Sequence, residues 1–184
     1  MRLPLLAFAA IVLAGCAADR PLPEFGQVPD FELTSQTGQT VNRQMLQGHV
    51  WVADFIFTTC PGPCPRMSSQ MREVQSATAG SPDVKLVSFT VDPEHDTPPV
   101  LAAYGKHFLA QPDRWFFLTG SQAALNALGR DGFKLNPVDG TLDHSTRFVL
   151  VDQAYRIRGY YASTDDDFMS RLLHDLRQLE RSHS

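Results

Sequence analysis

The stretch that decides the fold is Asp54-Phe55-Ile56-Phe57-Thr58-Thr59-Cys60-Pro61-Gly62-Pro63-Cys64-Pro65. Its first half continues a run from Val50 that is rich in β-branched and aromatic side chains, which is typical of a buried strand. The prolines end this strand, because proline cannot donate a hydrogen bond to a sheet ladder. Each proline also disfavours helical geometry in the residue before it, so Cys60, Gly62 and Cys64 are predicted to be extended or turn-like.

A helix is predicted directly after this turn. Pro65 suits the first helical position, and the residues from Arg66 to Thr78 place apolar side chains on one stripe at Met67, Met71 and Val74. Cys64 is therefore expected at a helix N-terminus, where the macrodipole and the free N–H groups favour a thiolate. A thiolate is the form that both metal binding and disulfide exchange require.

The rest of the chain alternates strand and helix patterns. The predicted elements are a hairpin around Ser35-Gln36-Thr37-Gly38, a strand over Val84 to Val91, a helix through Leu101, Tyr104 and Phe108, a strand over Trp115 to Thr119, a short helix through Leu125, an antiparallel pair over Thr146 to Val151 and Ile157 to Tyr161, and a closing helix with Phe168, Leu172, Leu176 and Leu179 on one face. The order strand, helix, strand implies a parallel crossover. This pattern predicts a thioredoxin-like α/β sandwich, with a central mixed sheet flanked by helices.

Length and composition indicate one domain. The chain has 184 residues, of which 43% are hydrophobic, enough for one core. Its formal net charge is −4 and it has no basic patch, so a nucleic-acid partner is not expected.

The N-terminal residues read as a secretory signal. Arg2 is followed by an apolar run and then by Leu13-Ala14-Gly15-Cys16, which resembles the lipobox of bacterial lipoproteins. We therefore expect a signal peptide over residues 1–15, a lipidated Cys16 that begins a tether over residues 16–24, and a domain over residues 25–184. An ordinary signal peptide or an uncleaved anchor is the alternative. The domain is exported in either case.

Lipidation of Cys16 leaves two of the three cysteines, Cys60 and Cys64. In an oxidising compartment they could form a structural disulfide. A loop this short gains little chain-entropy stabilisation, however, and a domain of this size does not need a disulfide for stability. Redox and metal chemistry both remain open, because the three-residue spacer satisfies the geometry of either.

A histidine close to the two cysteines would favour metal binding over redox chemistry. His144-Ser145 immediately precedes the strand that begins at Thr146, where thioredoxin-like reductases place a cis-proline, and no proline follows Pro137. A neutral imidazole with two thiolates suits copper, whereas zinc usually requires a fourth ligand. His95, in the loop after the second main strand, is a candidate outer or occasional ligand. The other four histidines are not strong candidates: His49, His107, His174 and His183.

Several blocks together resemble the Sco/SenC family, in the family's order, over about residues 25–181. The blocks are Phe57 to Pro65, Val91 to Pro98 with Leu101 and Tyr104, Trp115 to Gly120, His144-Ser145, Leu150-Val151-Asp152, and Gly159-Tyr160-Tyr161. The spacing of the two cysteines alone would be weak evidence, but the set is specific.

The resemblance implies a membrane-tethered protein that binds one copper, as Cu(I) or Cu(II), through Cys60, Cys64 and His144. It implies assistance in assembly of the copper A centre of cytochrome c oxidase, with the copper A subunit as partner and other periplasmic copper chaperones as further candidates. The expected form is a monomer in the bacterial cell envelope, with its domain in the periplasm. The alternative is a thiol–disulfide oxidoreductase in which Cys60 and Cys64 are catalytic and reduce a recipient's cysteines.

Two positions depart from the family pattern. Many relatives have an acid where this chain has Gly62, and an arginine where it has His95. The first departure removes a carboxylate near the ligands and the second adds an imidazole, so both bear on copper affinity and redox tuning.

Overall fold

The computed structural model describes residues 20–135 and 145–182. The strands in these residues are β1 (Gly26–Gln27), β2 (Glu32–Ser35), β3 (Thr40–Asn42), β4 (Trp51–Ile56), β5 (Lys85–Thr90), β6 (Trp115–Thr119), β7 (Arg147–Val151) and β8 (Arg156–Ala162). The helices are α1 (Pro63–Ala77), α2 (Pro98–His107), α3 (Gln122–Ala127) and α4 (Phe168–Arg181), with a 3₁₀ turn at Arg43–Leu46 and a π-helical turn at Leu128–Gly132.

The described strands form a single mixed sheet in the order β1-β8-β7-β4-β5-β6-β2-β3. β4, β5 and β6 are parallel, whereas β7 is antiparallel to β4, and β8 to β7. The predicted thioredoxin-like fold is confirmed. The predicted hairpin of β2 and β3 is also present, but it joins the main sheet because β2 pairs with β6.

β4 lies at the centre of the sheet. All six of its residues are buried, as expected of an apolar strand covered on both faces. It pairs along one edge with β5 and along the other with β7. Phe55 of β4 stacks on Phe89 of β5 with ring centroids 5.1 Å apart, and Phe133 packs edge-on against Phe55 at 5.5 Å. The loop after β4 is therefore held by a rigid, fully packed strand.

α4 covers the β7 and β8 half of the sheet. The four side chains predicted to share one face are all buried: Phe168, Leu172, Leu176 and Leu179. Phe168 stacks on Phe148 of β7, with ring centroids 5.5 Å apart. The helical period of the sequence therefore identified the packed face of α4 correctly.

The predicted start of α1 is wrong by two residues. α1 begins at Pro63 and not at Pro65, so Cys64 lies in the first helical turn rather than in an extended turn. The first N–H groups of a helix have no intrahelical acceptor, so proline at these positions removes no hydrogen bond. That tolerance outweighs the preference of the residue before Pro65 for extended geometry.

The residues before β1 contact the domain. The Nε of Arg158 donates to the carbonyl of Pro23 at 2.9 Å, and its Nη2 donates to the carbonyl of Leu22. The proposed signal peptide, Cys16 and His144 lie outside the described residues. Within the described ranges, no helix has both the length and the apolar character needed to span a membrane.

The contact between α2 and β6 depends on a glycine. A Cβ placed on Gly105 would lie 2.9 Å from Cε2 of Phe117. The Phe117 ring is itself held against Trp115 and Tyr104, so it cannot easily move away. Gly105→Ala should therefore cost up to about 2 kcal/mol of unfolding free energy, since a helix-propensity gain of about 1 kcal/mol offsets only part of an overpacking cost of about 1–3 kcal/mol.

Urea unfolding followed by circular dichroism measures this change. Gly80→Ala is the matched control, because a Cβ there meets nothing within 4 Å. It should stay within about 0.5 kcal/mol of the wild type. Equal stability of the Gly105 and Gly80 variants would contradict the close approach.

Candidate metal and dithiol site

The two cysteines of the described residues lie together between β4 and α1. They are not joined by a disulfide in this structure, and they share a side-chain hydrogen bond. Cys60 lies in the loop, where its backbone N–H donates to the carbonyl of Phe57 at 3.3 Å. Cys60 is 8% exposed, whereas Cys64, in the first turn of α1, is fully buried. Cys60 is therefore the thiol nearer to solvent.

Burial, not the helix terminus, dominates the electrostatics of Cys64. Loss of hydration raises the pKa of this thiol well above its ordinary value, and a backbone hydrogen bond with Phe57 opposes the rise only in part. The neighbouring Cys60 and the carboxyl of Asp54 raise the pKa of Cys64 further. The expectation of an intrinsically favoured thiolate is therefore wrong for the metal-free protein, because desolvation outweighs the half-charge of the helix end.

A buried carboxylate fixes the loop that carries Cys60. Asp96, which is fully buried, accepts hydrogen bonds from the backbone N–H of Thr58 at 3.1 Å and from its hydroxyl at 2.5 Å. It also accepts a hydrogen bond from the hydroxyl of Thr90 at the end of β5, at 2.5 Å. Asp96 therefore links the loop after β4 to the loop after β5. The two bonded residues, Thr58 and Asp96, are 38 positions apart in the sequence.

A second carboxyl lies in β4 itself. Asp54 is fully buried, and neither of its oxygens has a partner in hydrogen-bond geometry. Burial raises the pKa of Asp54 to about 7, and the hydroxyl of Ser88 at the paired position of β5 offsets part of that rise. An acid with such a pKa, interacting with a buried thiol, is characteristic of a functional site more than of a stable core.

α2 contributes a phenol beside the cysteines. The hydroxyl of Tyr104 is hydrogen-bonded to that of Ser68 on α1 at 2.9 Å. Burial raises the pKa of Tyr104, and Cys64, Asp54 and Cys60 add to the rise. The phenol therefore stays neutral and closes the site on the α2 side.

His95 pairs with a carboxylate and not with the cysteines. Its Nδ1 donates to Asp92, 3.0 Å from Oδ1 and 2.9 Å from Oδ2, and this contact raises the pKa of His95. The His95 side chain is 71% exposed. With Nδ1 engaged, Nε2 is the ring nitrogen that could reach a ligand.

The structure brings Cys60 and Cys64 together, while His144 lies outside the described residues. Within residues 20–135 and 145–182, no group of three or more His, Cys, Asp or Glu could hold a metal ion. The other described histidines lie elsewhere, and Nδ1 of His49 is 2.9 Å from the carbonyl of Asp83. The ligand set Cys60, Cys64 and His144 thus stays a prediction.

The sequence reasoning missed Asp54 and Asp96. Asp54 carried a usable signal, because an acid inside an otherwise apolar buried strand is costly and calls for an explanation. Asp96 carried none, since its partners Thr58 and Thr90 are distant in sequence and meet only in the folded sheet.

The fold and the site define a thioredoxin-like protein with a dithiol at the start of a helix. A family model described as SCO1/SenC matches residues 21–179. A SCO1/SenC family lipoprotein from Bacillus anthracis str. Ames is similar, with 31% identity, a TM-score of 0.77, and coverage of 84% of this chain and 95% of that one.

Two further solved structures are similar. BsSco, a Sco-family cytochrome c oxidase assembly protein in which a disulfide switch was identified, has 30% identity and a TM-score of 0.76, covering 87% of this chain and 97% of its own. Arabidopsis thaliana ScoI with copper bound has 25% identity and a TM-score of 0.69, covering 82% of this chain and 98% of its own. The chain belongs to the SCO1/SenC family.

The buried acid predicts a pH-dependent stability. The pKa of Asp54 is about 7 in the native state and about 3.9 when unfolded. The native state therefore holds the proton more tightly than the unfolded state does. The resulting contribution of Asp54 to the free energy of unfolding is full below pH 4 and is lost as pH rises through 7. This loss amounts to about 4 kcal/mol. Asp54→Asn removes this titrating group, so the variant should not lose stability in this way. The difference in free energy of unfolding, variant minus wild type, should therefore rise by about 4 kcal/mol between pH 4 and pH 8.

Urea unfolding at several pH values checks this expectation. Asp166→Asn is the control, because Asp166 is exposed in the turn before α4 and its loss should leave the wild-type profile in place. Parallel profiles for wild type and the Asp54 variant would show that this carboxyl does not titrate as its burial requires.

Proposed function

We propose that this protein is a copper metallochaperone that assists assembly of the copper A centre of cytochrome c oxidase. The observation that carries the proposal is the pair of adjacent thiols, Cys60 and Cys64, held between β4 and α1. Family membership supports the same role, since one similar protein is a cytochrome c oxidase assembly protein and another holds copper.

The donor set fits the metal. Two thiols that already contact each other are soft ligands, which favour copper over hard cations such as magnesium or calcium. Bound copper would supply a metal ready for transfer to a recipient site, in either the Cu(I) or the Cu(II) state. The chain's own residues hold the donors: Asp96 anchors the loop of Cys60, and the packing of α1 fixes Cys64.

His144 is proposed as the third ligand. It lies three residues before β7, and β7 runs antiparallel to β4 with Ala53 opposite Val149. β7 therefore begins at the same end of the sheet at which β4 ends and the cysteine loop starts. This topology supports the assignment, and His95 remains a candidate outer ligand through its Nε2.

The ligand set predicts a specific loss of copper. Anaerobic titration of the reduced protein should give one tightly bound copper per chain. Cys60→Ala, Cys64→Ala and His144→Ala should each weaken binding by at least about 100-fold, because even residues outside the ligand shell cost 10- to 100-fold when replaced.

His49→Ala is the matched histidine control. His49 precedes β4, at the opposite end of the strand from Cys60, so the variant should bind copper as the wild type does. Wild-type binding by the His144 variant would refute the third ligand while leaving the dithiol in place. Wild-type binding by both cysteine variants would refute the copper site itself.

A thiol–disulfide oxidoreductase is the second candidate function. The two thiols are reduced and in contact with each other, and the similar BsSco protein contains a disulfide switch. In this reaction the Cys60 sulfur attacks a recipient disulfide and releases one recipient thiol. Cys64 then attacks Cys60, closing their disulfide and releasing the second thiol. A thiol reductant outside the protein must return the two electrons.

The exposures of the two cysteines predict which variant traps the recipient. Cys60 is the more exposed thiol, so Cys64→Ser should accumulate a mixed disulfide with the copper A subunit. Cys60→Ser should not, because Cys64 is fully buried. Non-reducing electrophoresis and mass spectrometry detect the adduct. Absence of an adduct in both variants would count against the oxidoreductase, and trapping only by Cys60→Ser would reverse the assigned order of attack.

We further propose that the protein is a lipid-anchored monomer, attached through Cys16 with its domain in the periplasm. The lipobox-like sequence Leu13 to Cys16 supports the anchor, and one similar protein is a lipoprotein. The recipient would then lie in or at the same cell envelope.

A further inference from the structure

A pocket rich in arginine lies at the end of the sheet away from the cysteines. It is formed by the turn between β7 and β8, the end of α4 and the chain just before β1, and its volume is about 510 Å³. We call it the arginine pocket. Its lining includes Leu22, Asp152, Arg156, Arg158 and Arg181. Val151, next to the turn, pairs with Trp51 at the start of β4, whereas Cys60 follows the end of β4.

The pocket is positively charged in a protein that is negative overall. Three arginines against one aspartate, Asp152, leave its described lining at +2, while the chain has a formal charge of −4. Arg158 uses all three of its guanidinium nitrogens, which donate hydrogen bonds to Asp152 and to the carbonyls of Leu22 and Pro23. Arg156 donates only its Nε to Asp152, at 2.8 Å, and its side chain is 44% exposed. Its two Nη groups therefore remain for an outside acceptor.

The end of α4 opposes this charge only weakly. A helix C-terminus carries about half a negative charge. The side chain of Gln153 donates to one of the terminal carbonyls, that of Leu179, at 3.2 Å. Three guanidinium groups exceed the combined negative charge of that helix end and Asp152. A guanidinium also matches a phosphate group geometrically, because its N–H groups can donate in pairs.

The chain entering this pocket leads to the proposed lipid anchor. The side chain of Gln178 on α4 donates to the carbonyl of Arg20 at 2.7 Å, so residue 20 is held at the pocket mouth. Only four residue steps separate Arg20 from Cys16, a reach of at most about 14 Å. Attraction to an anionic membrane surface extends about 8 Å at physiological salt, so an anchor this short lets the pocket come within the range of that attraction.

We propose that the arginine pocket binds the phosphate of an anionic phospholipid headgroup, and that this contact turns the dithiol edge of the sheet away from the membrane. The proposal rests on the lipid anchor at Cys16 and is independent of copper. It gives the short tether a second attachment point, and a basic contact with anionic lipid adds to the membrane binding that acyl chains supply.

Energy transfer from tryptophan to dansyl-labelled headgroups tests the orientation. Trp51 and Trp115 lie at the starts of β4 and β6, the pocket end of the sheet. The mature lipidated protein, verified by mass spectrometry, is reconstituted into phosphatidylcholine vesicles with or without phosphatidylglycerol. Transfer should be higher in the anionic vesicles, and this excess should decline as sodium chloride is raised.

The variants compare the same charge change at opposite ends of the domain. Arg156→Gln combined with Arg181→Gln should lose most of the excess. Arg66→Gln combined with Arg171→Gln removes two charges near the start of α1 and of α4, at the dithiol end, and should retain it. Arg158 is left intact because it holds residues 22 and 23, and thermal unfolding confirms that both double variants fold.

Four other outcomes would each overturn the proposal. Equal transfer in neutral and anionic vesicles excludes headgroup binding, and equal loss in both double variants reduces the effect to net charge. If inorganic phosphate, at matched ionic strength, removes the excess where chloride does not, the pocket takes free phosphate instead of a lipid. Recovery of the chain without lipid removes the anchor on which the proposal rests. None of these outcomes affects the copper titration, so failure here is distinct from failure of the copper site.

Discussion

The rest of the structure depends on the way β4 is constrained. This strand is buried on both faces and paired along both edges. A strand that is packed on every side has no freedom to shift its register, because a slip of one residue would exchange all its buried side chains between faces. The residue at which β4 stops is thus fixed, and with it the loop that carries Cys60. Asp96 extends this order into the loop by binding both the N–H and the hydroxyl of Thr58.

The same burial produces the unusual chemistry of the site. Removing Asp54 and Cys64 from water penalises their charged forms, and this effect raises both pKa values. A helix N-terminus would favour a thiolate at an exposed position, but it contributes only about half a charge. Burial therefore decides the resting state of Cys64 in the metal-free dithiol, where its thiol stays neutral and is hydrogen-bonded to Cys60.

The molecule has two chemically distinct ends. The dithiol lies where β4 and β5 end and where α1 and α4 begin, and it is lined by buried acids and neutral polar groups. The arginine pocket lies at the start of β4 and at the end of α4, beside the chain that leads to residue 20. Because a six-residue strand spans about 20 Å, the two ends can face different surroundings at the same time.

The sequence by itself determined the fold class, the order of the main strands and helices, the packed face of α4 and the pairing of Cys60 with Cys64. These features depend on local periodicity and on residues close in the chain, which a single sequence records directly. Only the tertiary structure decided the start of α1 at Pro63, the attachment of the β2–β3 hairpin to β6, the anchoring of Thr58 by Asp96 and the raised pKa of Cys64. The start of α1 depends on a balance between two local effects of proline that the sequence pattern alone does not weigh. The other three features depend on burial or on contacts between distant segments, and neither quantity is encoded in the spacing of neighbouring residues.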